Sequence, residues 1–175
     1  MTNRRIVLVG FMGCGKTTVA QELARRLACS SIDLDTFITE TQGSSPAQII
    51  KRDGEPAFRL IETRALEDLL KQPEVAVIAL GGGAWTIPAN RRLVENQNCL
   101  SIWLDAPFDL CWKRIDQGDY QRPLAPDRET ARRLYETRRA DYQLARIRIN
   151  VGTEKGLAEI LDEISRKSAP YSPVN

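Results

Sequence analysis

The most specific chemistry in the chain is carried by Gly10-Phe11-Met12-Gly13-Cys14-Gly15-Lys16-Thr17. Its skeleton, G-x-x-x-x-G-K-T, is the phosphate-cradling P-loop pattern. Glycines let backbone N–H groups turn inward around an anion without a Cβ clash. A helix beginning at Thr17 adds partial positive charge at the same place. Lys16 is expected to reach the β- and γ-phosphates of ATP, and the Thr17 hydroxyl to ligate Mg²⁺. Gly13, Cys14, Gly15 and Thr18 complete the expected nucleotide contacts. Cys14 has two readings: a thiol whose pKa falls beside Lys16 and a helix N-terminus, or a small residue filling an alanine-sized slot. The second is the simpler.

Other reactive residue types recur downstream. In Ile32-Asp33-Leu34-Asp35, alternation along an extended chain puts Asp33 and Asp35 on one side. Beside a Mg²⁺-nucleotide, one carboxylate can hold the metal's water shell and the other can take a proton from an attacking hydroxyl. Alternatively, Asp35 caps the helical pattern of residues 36–41. Arg59 and Glu62 are three apart on a helix face, which suits a surface ion pair or a guanidinium fork held ready for a substrate carboxylate. Gly81-Gly82-Gly83 is costly in conformational entropy, and is either a flexible turn or a place where a ligand approaches the backbone. The polar stretch of residues 116–126 is read as a lid, with Arg122 swinging onto the γ-phosphate in the manner of an arginine finger. Of Arg132, Arg133, Arg138 and Arg139, most must face solvent and one could reach inward. Asn90-Arg91-Arg92 is read as mostly solvated.

These residues need a scaffold. Strand candidates at residues 5–9, 30–33, 75–80, 99–104 and 147–151 alternate with helical patterns, one of them at 128–145. That alternation argues for an α/β domain with a mainly parallel sheet covered on both faces. In such sheets ligands collect at the carboxyl ends of the strands, where the reactive residues lie. One domain over residues 1–167 is expected, with a substrate-binding region at about 34–62 and a frayed tail over 168–175.

Composition narrows the function further. The chain has 175 residues, enough for a sizeable core. Hydrophobic residues make up 42% and charged residues 27%, as in soluble globular proteins. A net charge of +2 gives no argument for nucleic acid. No apolar run approaches the roughly 20 residues of a membrane span, and Met-Thr-Asn-Arg-Arg leaves no room for a signal peptide before the first strand. The four cysteines show no C-x-x-C spacing and there is no histidine, which disfavours a zinc site and a histidine base. A cytoplasmic monomer with reduced thiols is the expectation.

Taken in order, G-F-M-G-C-G-K-T, I-D-L-D, G-E-P-A-F-R-L-I-E, A-L-G-G-G, I-W-L-D-A-P, R-P-L and R-x-x-x-Y closely resemble shikimate kinases, from about Arg5 to Leu161. The P-loop alone is widely shared; the combination is far more specific. The resemblance implies a P-loop kinase with a five-stranded parallel sheet of order 2-3-1-4-5, a substrate-binding helical region and a lid. It implies ATP and Mg²⁺ held by Lys16 and Thr17, with Asp33 near the metal through water. It implies Asp35 as the base on a ring hydroxyl, and Arg59 and Arg138 as the grip on the shikimate carboxylate. Glu62 would then orient Arg59, Phe58 wall the pocket, and the backbone of Gly81, Gly82 and Gly83 touch substrate. Arg122 becomes the lid arginine, Arg114 the adenine-stacking arginine, and Thr153 part of the stretch bordering adenine. The chain departs from the family in places. Where R-x-P-x-Y is usual it has Arg138-Arg139-Ala140-Asp141-Tyr142, so Arg138 and Arg139 stand as alternatives, the spacing favouring Arg138. Leu80 stands where threonine is common, and bulky Trp85 follows the glycines. A kinase of another sugar acid or polyol such as gluconate, or a silent nucleotide-binding relative, are the alternatives.

Overall fold

In the computed structural model, residues 4–118 and 123–171 are described. Five strands form one sheet of order β2-β3-β1-β4-β5, every neighbouring pair parallel. The strands are β1 (Ile6–Val9), β2 (Ser30–Asp33), β3 (Val75–Ala79), β4 (Leu100–Asp105) and β5 (Ile147–Asn150). β1 is central, and its Ile-Val-Leu-Val run is buried throughout because helices cover both faces. β5 is an edge strand, so only Ile147 and Ile149 turn inward while Arg148 and Asn150 face out.

The helices are α1 (Lys16–Leu27), α2 (Leu34–Gln42), α3 (Pro46–Asp53), α4 (Glu55–Leu70), α5 (Pro88–Asn96), α6 (Phe108–Asp116), α7 (Arg128–Tyr142) and α8 (Leu157–Ser168). α1 packs on the sheet through Val19, Ala20, Leu23 and Ala24. α3 opens on a capping box in which Ser45 and Gln48 bond each other's backbone. α4 buries Phe58, Glu62, Ala65, Leu66 and Leu69 along one stripe. A carboxylate in the middle of an apolar stripe needs a partner, and its partner belongs to the site.

Element types and order match the sequence expectations, and boundaries move by a few residues. One move alters the chemistry. β2 stops at Asp33, whose carboxylate accepts from the Asp35 N–H and caps α2. Asp33 is therefore the cap, and Asp35 sits in the first helical turn rather than on an extended chain. α7 ends at Tyr142, short of residue 145. Ser168 closes α8 and is buried, and the Tyr171 ring lies 5.5 Å from the Arg146 guanidinium. Among the described residues no helix is long and apolar enough to cross a membrane.

Candidate active site

Sheet register brings the reactive segments together. Ile6, Val7 and Leu8 of β1 pair with Val77, Ile78 and Ala79 of β3, and Asp33 of β2 pairs with the same Ala79. The loop after β1, the glycines after β3 and the cap after β2 therefore emerge side by side. They border a cleft of about 800 Å³. Thr17, Asp33, Asp35, Arg59, Glu62 and Arg138 all line it, together with Phe58 and the three glycines.

The P-loop is held tightly from outside. At Gly10, where φ is +141°, a Cβ would stand 2.7 Å from the Leu104 carbonyl oxygen. Gly15 precedes α1 with φ of +100°. Lys16 is buried, and its ammonium donates to the carbonyls of Gly10 and Phe11 at 2.9 and 3.0 Å. Cys14 is also buried and its N–H bonds the Phe11 carbonyl, so the side chain fills a core slot as the simpler reading had it. Arg114 reaches over the loop and donates to the Gly13 carbonyl at 3.1 Å. Thr18 is exposed on the first turn of α1, and Thr153 is exposed between β5 and α8. Arg122 lies outside the described residues, as does part of the stretch read as a lid.

The Thr17 hydroxyl donates to Asp33 Oδ2 at 2.6 Å. A hydroxyl and carboxylates on one wall are hard oxygen donors, too few to cage a cation but suited to Mg²⁺ that arrives with phosphates and keeps its waters. Among the described residues there is no group of three or more acidic, histidine or cysteine side chains able to hold a metal alone.

The glycines are explained by their neighbours. A Cβ on Gly81 would lie 2.8 Å from Asp35 and 2.9 Å from Glu62; on Gly83 it would lie 2.3 Å from the Arg59 guanidinium. The backbone is bare so that three charged side chains can occupy the space beside it.

Arg59 is gripped from both sides. Nη1 donates to Glu62 at 2.7 Å, while Nε and Nη2 donate to Glu55 at 3.1 and 2.8 Å. The sequence reading missed Glu55, although its i,i+4 spacing to Arg59 was a usable signal. Glu62 is only 1% exposed, and burial raises its carboxyl pKa even against the pull of Arg59. Arg138, 6% exposed, faces the same cleft. Its side chain is hydrogen-bonded to Tyr142 and feels the charges of Glu55 and Glu62. Burial lowers its pKa, and the like charge of Arg59 lowers it further.

Arg139 goes elsewhere. It binds Asp105 at 2.8 Å and lies 5.1 Å from the Trp103 ring, at the carboxyl end of β4. Of the two alternatives, Arg138 is the one in the cleft. The solvated reading of residues 90–92 fails for two of them: Asn90 is fully buried, and Arg91 bonds the Trp85 carbonyl and Asp141. For Arg91 the carboxylate partner, Asp141, is 50 residues away, beyond any local pattern.

This arrangement can seat a phosphate chain on one side, a small anion between two arginines on the other, and a carboxylate between them. A sequence model of the shikimate kinase family matches residues 12–168. Shikimate kinase of Ruegeria pomeroyi is 36% identical over 165 residues, covering 93% of this chain and 83% of that protein. Shikimate kinase of Enterococcus faecalis is 39% identical, covering 91% and 95%. The structure of Acinetobacter baumannii shikimate kinase in complex with shikimate superposes with a TM-score of 0.85 at 31% identity, covering 96% and 94%. A gluconokinase from Sinorhizobium meliloti has the same fold with a TM-score of 0.62 at 17% identity.

Proposed function

The chain belongs to the shikimate kinase family, and we propose that it transfers the γ-phosphate of ATP to the 3-hydroxyl of shikimate, in aromatic amino-acid biosynthesis. One observation carries the substrate: the cleft presents two guanidiniums, Arg59 and Arg138, only one of which has carboxylate partners among the described residues. A buried guanidinium with no direct ion pair is costly, and the carboxylate of a ring acid relieves that cost while fixing the ring's orientation. Glu55 and Glu62 hold Arg59 in place for this contact, and Phe58 walls the pocket. The bare backbone at Gly81, Gly82 and Gly83 lets the ring approach.

Asp35 faces the ring hydroxyl and accepts its proton as the O–P bond forms. Late acceptance suffices, because a loose phosphoryl transition state makes little demand for early deprotonation. Lys16 exchanges the carbonyls of Gly10 and Phe11 for β- and γ-phosphate oxygens. The N–H groups of residues 13–18 and the N-terminus of α1 take the remaining phosphate charge. Thr17 would hold Mg²⁺ directly and Asp33 through water, and the ion would supply charge neutralisation at the phosphates. Arg114 covers the base and Thr153 borders it. Arg122 completes the charge clamp from the lid. Most of the acceleration comes from positioning and electrostatic stabilisation. The protein acts on small molecules, as a cytoplasmic monomer.

A coupled ADP-release assay with shikimate, with gluconate and with no acceptor tests this. Shikimate-dependent turnover is the expected result. Turnover with gluconate alone, or ADP release indifferent to any acceptor, overturns the assignment.

A further inference from the structure

Like charges in one cleft push apart, so something must hold Arg138 where Arg59 repels it. Arg138 stands directly before the last turn of α7, where helix ends fray unless their final carbonyls are held. Three hydrogen-bonded links tie that turn to the segment after the glycines. The Tyr142 hydroxyl donates to the Gly82 carbonyl. Trp85 Nε1 donates to the Asp141 carbonyl at 3.1 Å. Arg91, reaching across from α5, donates Nη1 to the Trp85 carbonyl at 2.7 Å and to the Asp141 carboxylate at 3.1 Å. Trp85 is buried, and the Arg91 side chain is only 16% exposed. A partly buried, charge-assisted contact of this kind is stronger than a surface ion pair.

Bulky Trp85, a departure in the sequence, now has an explanation. Trp85 is bulky for a position beside a substrate loop, yet its ring is turned away into the core and its indole N–H points at α7. Asp141, in the segment where the family's proline is absent, supplies both a carbonyl and a carboxylate to the link. Arg91 joins the two.

Resting on the shikimate reading above, we propose that Arg91, acting through Asp141 and Trp85, is a positioning residue that presets Arg138 for the substrate's carboxylate. It touches no substrate itself. It resists the Arg59–Arg138 repulsion in the empty cleft, so the second guanidinium is in place before the acid arrives and no binding energy is diverted into moving α7.

The test is Arg91→Met, which keeps an apolar stem and removes the fork. The KM and Kd for shikimate are expected to rise about tenfold, while kcat and the KM for ATP stay within about threefold. Arg91→Lys, retaining one charged donor, is expected to bring the shikimate KM back to within about threefold of wild type. If Arg91→Met is folded and melts earlier but leaves the shikimate KM unchanged, the residue is only structural and the proposal fails. If Arg91→Met does not fold, Trp85→Phe and Asp141→Asn each weaken one link. Each must raise the shikimate KM by about threefold with the ATP KM unmoved, and an unmoved shikimate KM in both overturns the proposal. Wild-type protein inactive on shikimate would remove the underlying reading instead; active wild type with an unshifted Arg91→Met removes only this inference.

Discussion

Glu62 shows how a single side chain can serve function against stability. Its carboxylate is buried in the apolar stripe of α4 and its folded pKa is raised. The fold therefore holds that proton more tightly than the unfolded chain does. Its contribution to stability is greatest below the ordinary 4.5 and is lost as pH rises through the folded value. Glu62→Gln removes this titration. Urea unfolding at pH 4 and pH 7 is expected to show the variant gaining on wild type as pH rises, while its shikimate KM increases because Arg59 has lost a charged partner. A variant that loses ground at higher pH would contradict the burial argument. Asp35 makes a different claim, on turnover. Asp35→Ala is expected to lose at least about 100-fold in kcat, the usual scale for a positioned acid–base group, with ADP affinity unchanged by titration. Full activity would remove Asp35 from the mechanism.

At the scale of elements, two glycines separate a substrate constraint from a folding constraint. A Cβ on Gly83 meets only the far end of the Arg59 side chain, which can move. Gly83→Ala is therefore expected to fold with nearly wild-type stability but to bind shikimate about tenfold more weakly or worse. A Cβ on Gly10 meets the backbone oxygen of Leu104, at a φ of +141°. β4 cannot retreat, so Gly10→Ala is expected to cost about 2 kcal/mol or more. Denaturant midpoints alongside shikimate titrations check the pair; equal effects on both readouts would mean the two loops are not separable. The same reasoning explains which element boundaries were legible. Ser45 and Gln48 announce α3 by a local capping box, whereas the start of α2 was misjudged because Asp33 caps it from the end of a strand.

For the whole molecule, the proposed function has nucleotide and ring acid binding together, so each should stabilise the native state. Mg²⁺–ADP at about 100 times its Kd adds roughly 2.7 kcal/mol, equivalent to a rise of about 5–10 °C in Tm for a chain of this size. Lys16→Met is expected to abolish most of the nucleotide shift in a thermal melt while the shift from shikimate persists. Loss of both shifts together would show that Lys16 supports the fold rather than the phosphates.

The residues themselves determined the phosphate loop, the alternation of strands and helices, and the identity of most charged groups in the cleft. Those signals are local: glycine spacing, apolar periodicity and short carboxylate and arginine motifs act within a few residues of one another. Three things were decided only by the tertiary structure. Arg138 rather than Arg139 faces the cleft because α7 turns one toward Gly82 and the other toward Asp105. The glycines are bare because Asp35, Glu62 and Arg59, drawn from two other helices, need their space. Arg91 is half-shielded because Asp141 meets it across 50 residues. Contacts between segments so far apart depend on how the chain packs, and no local pattern records that packing.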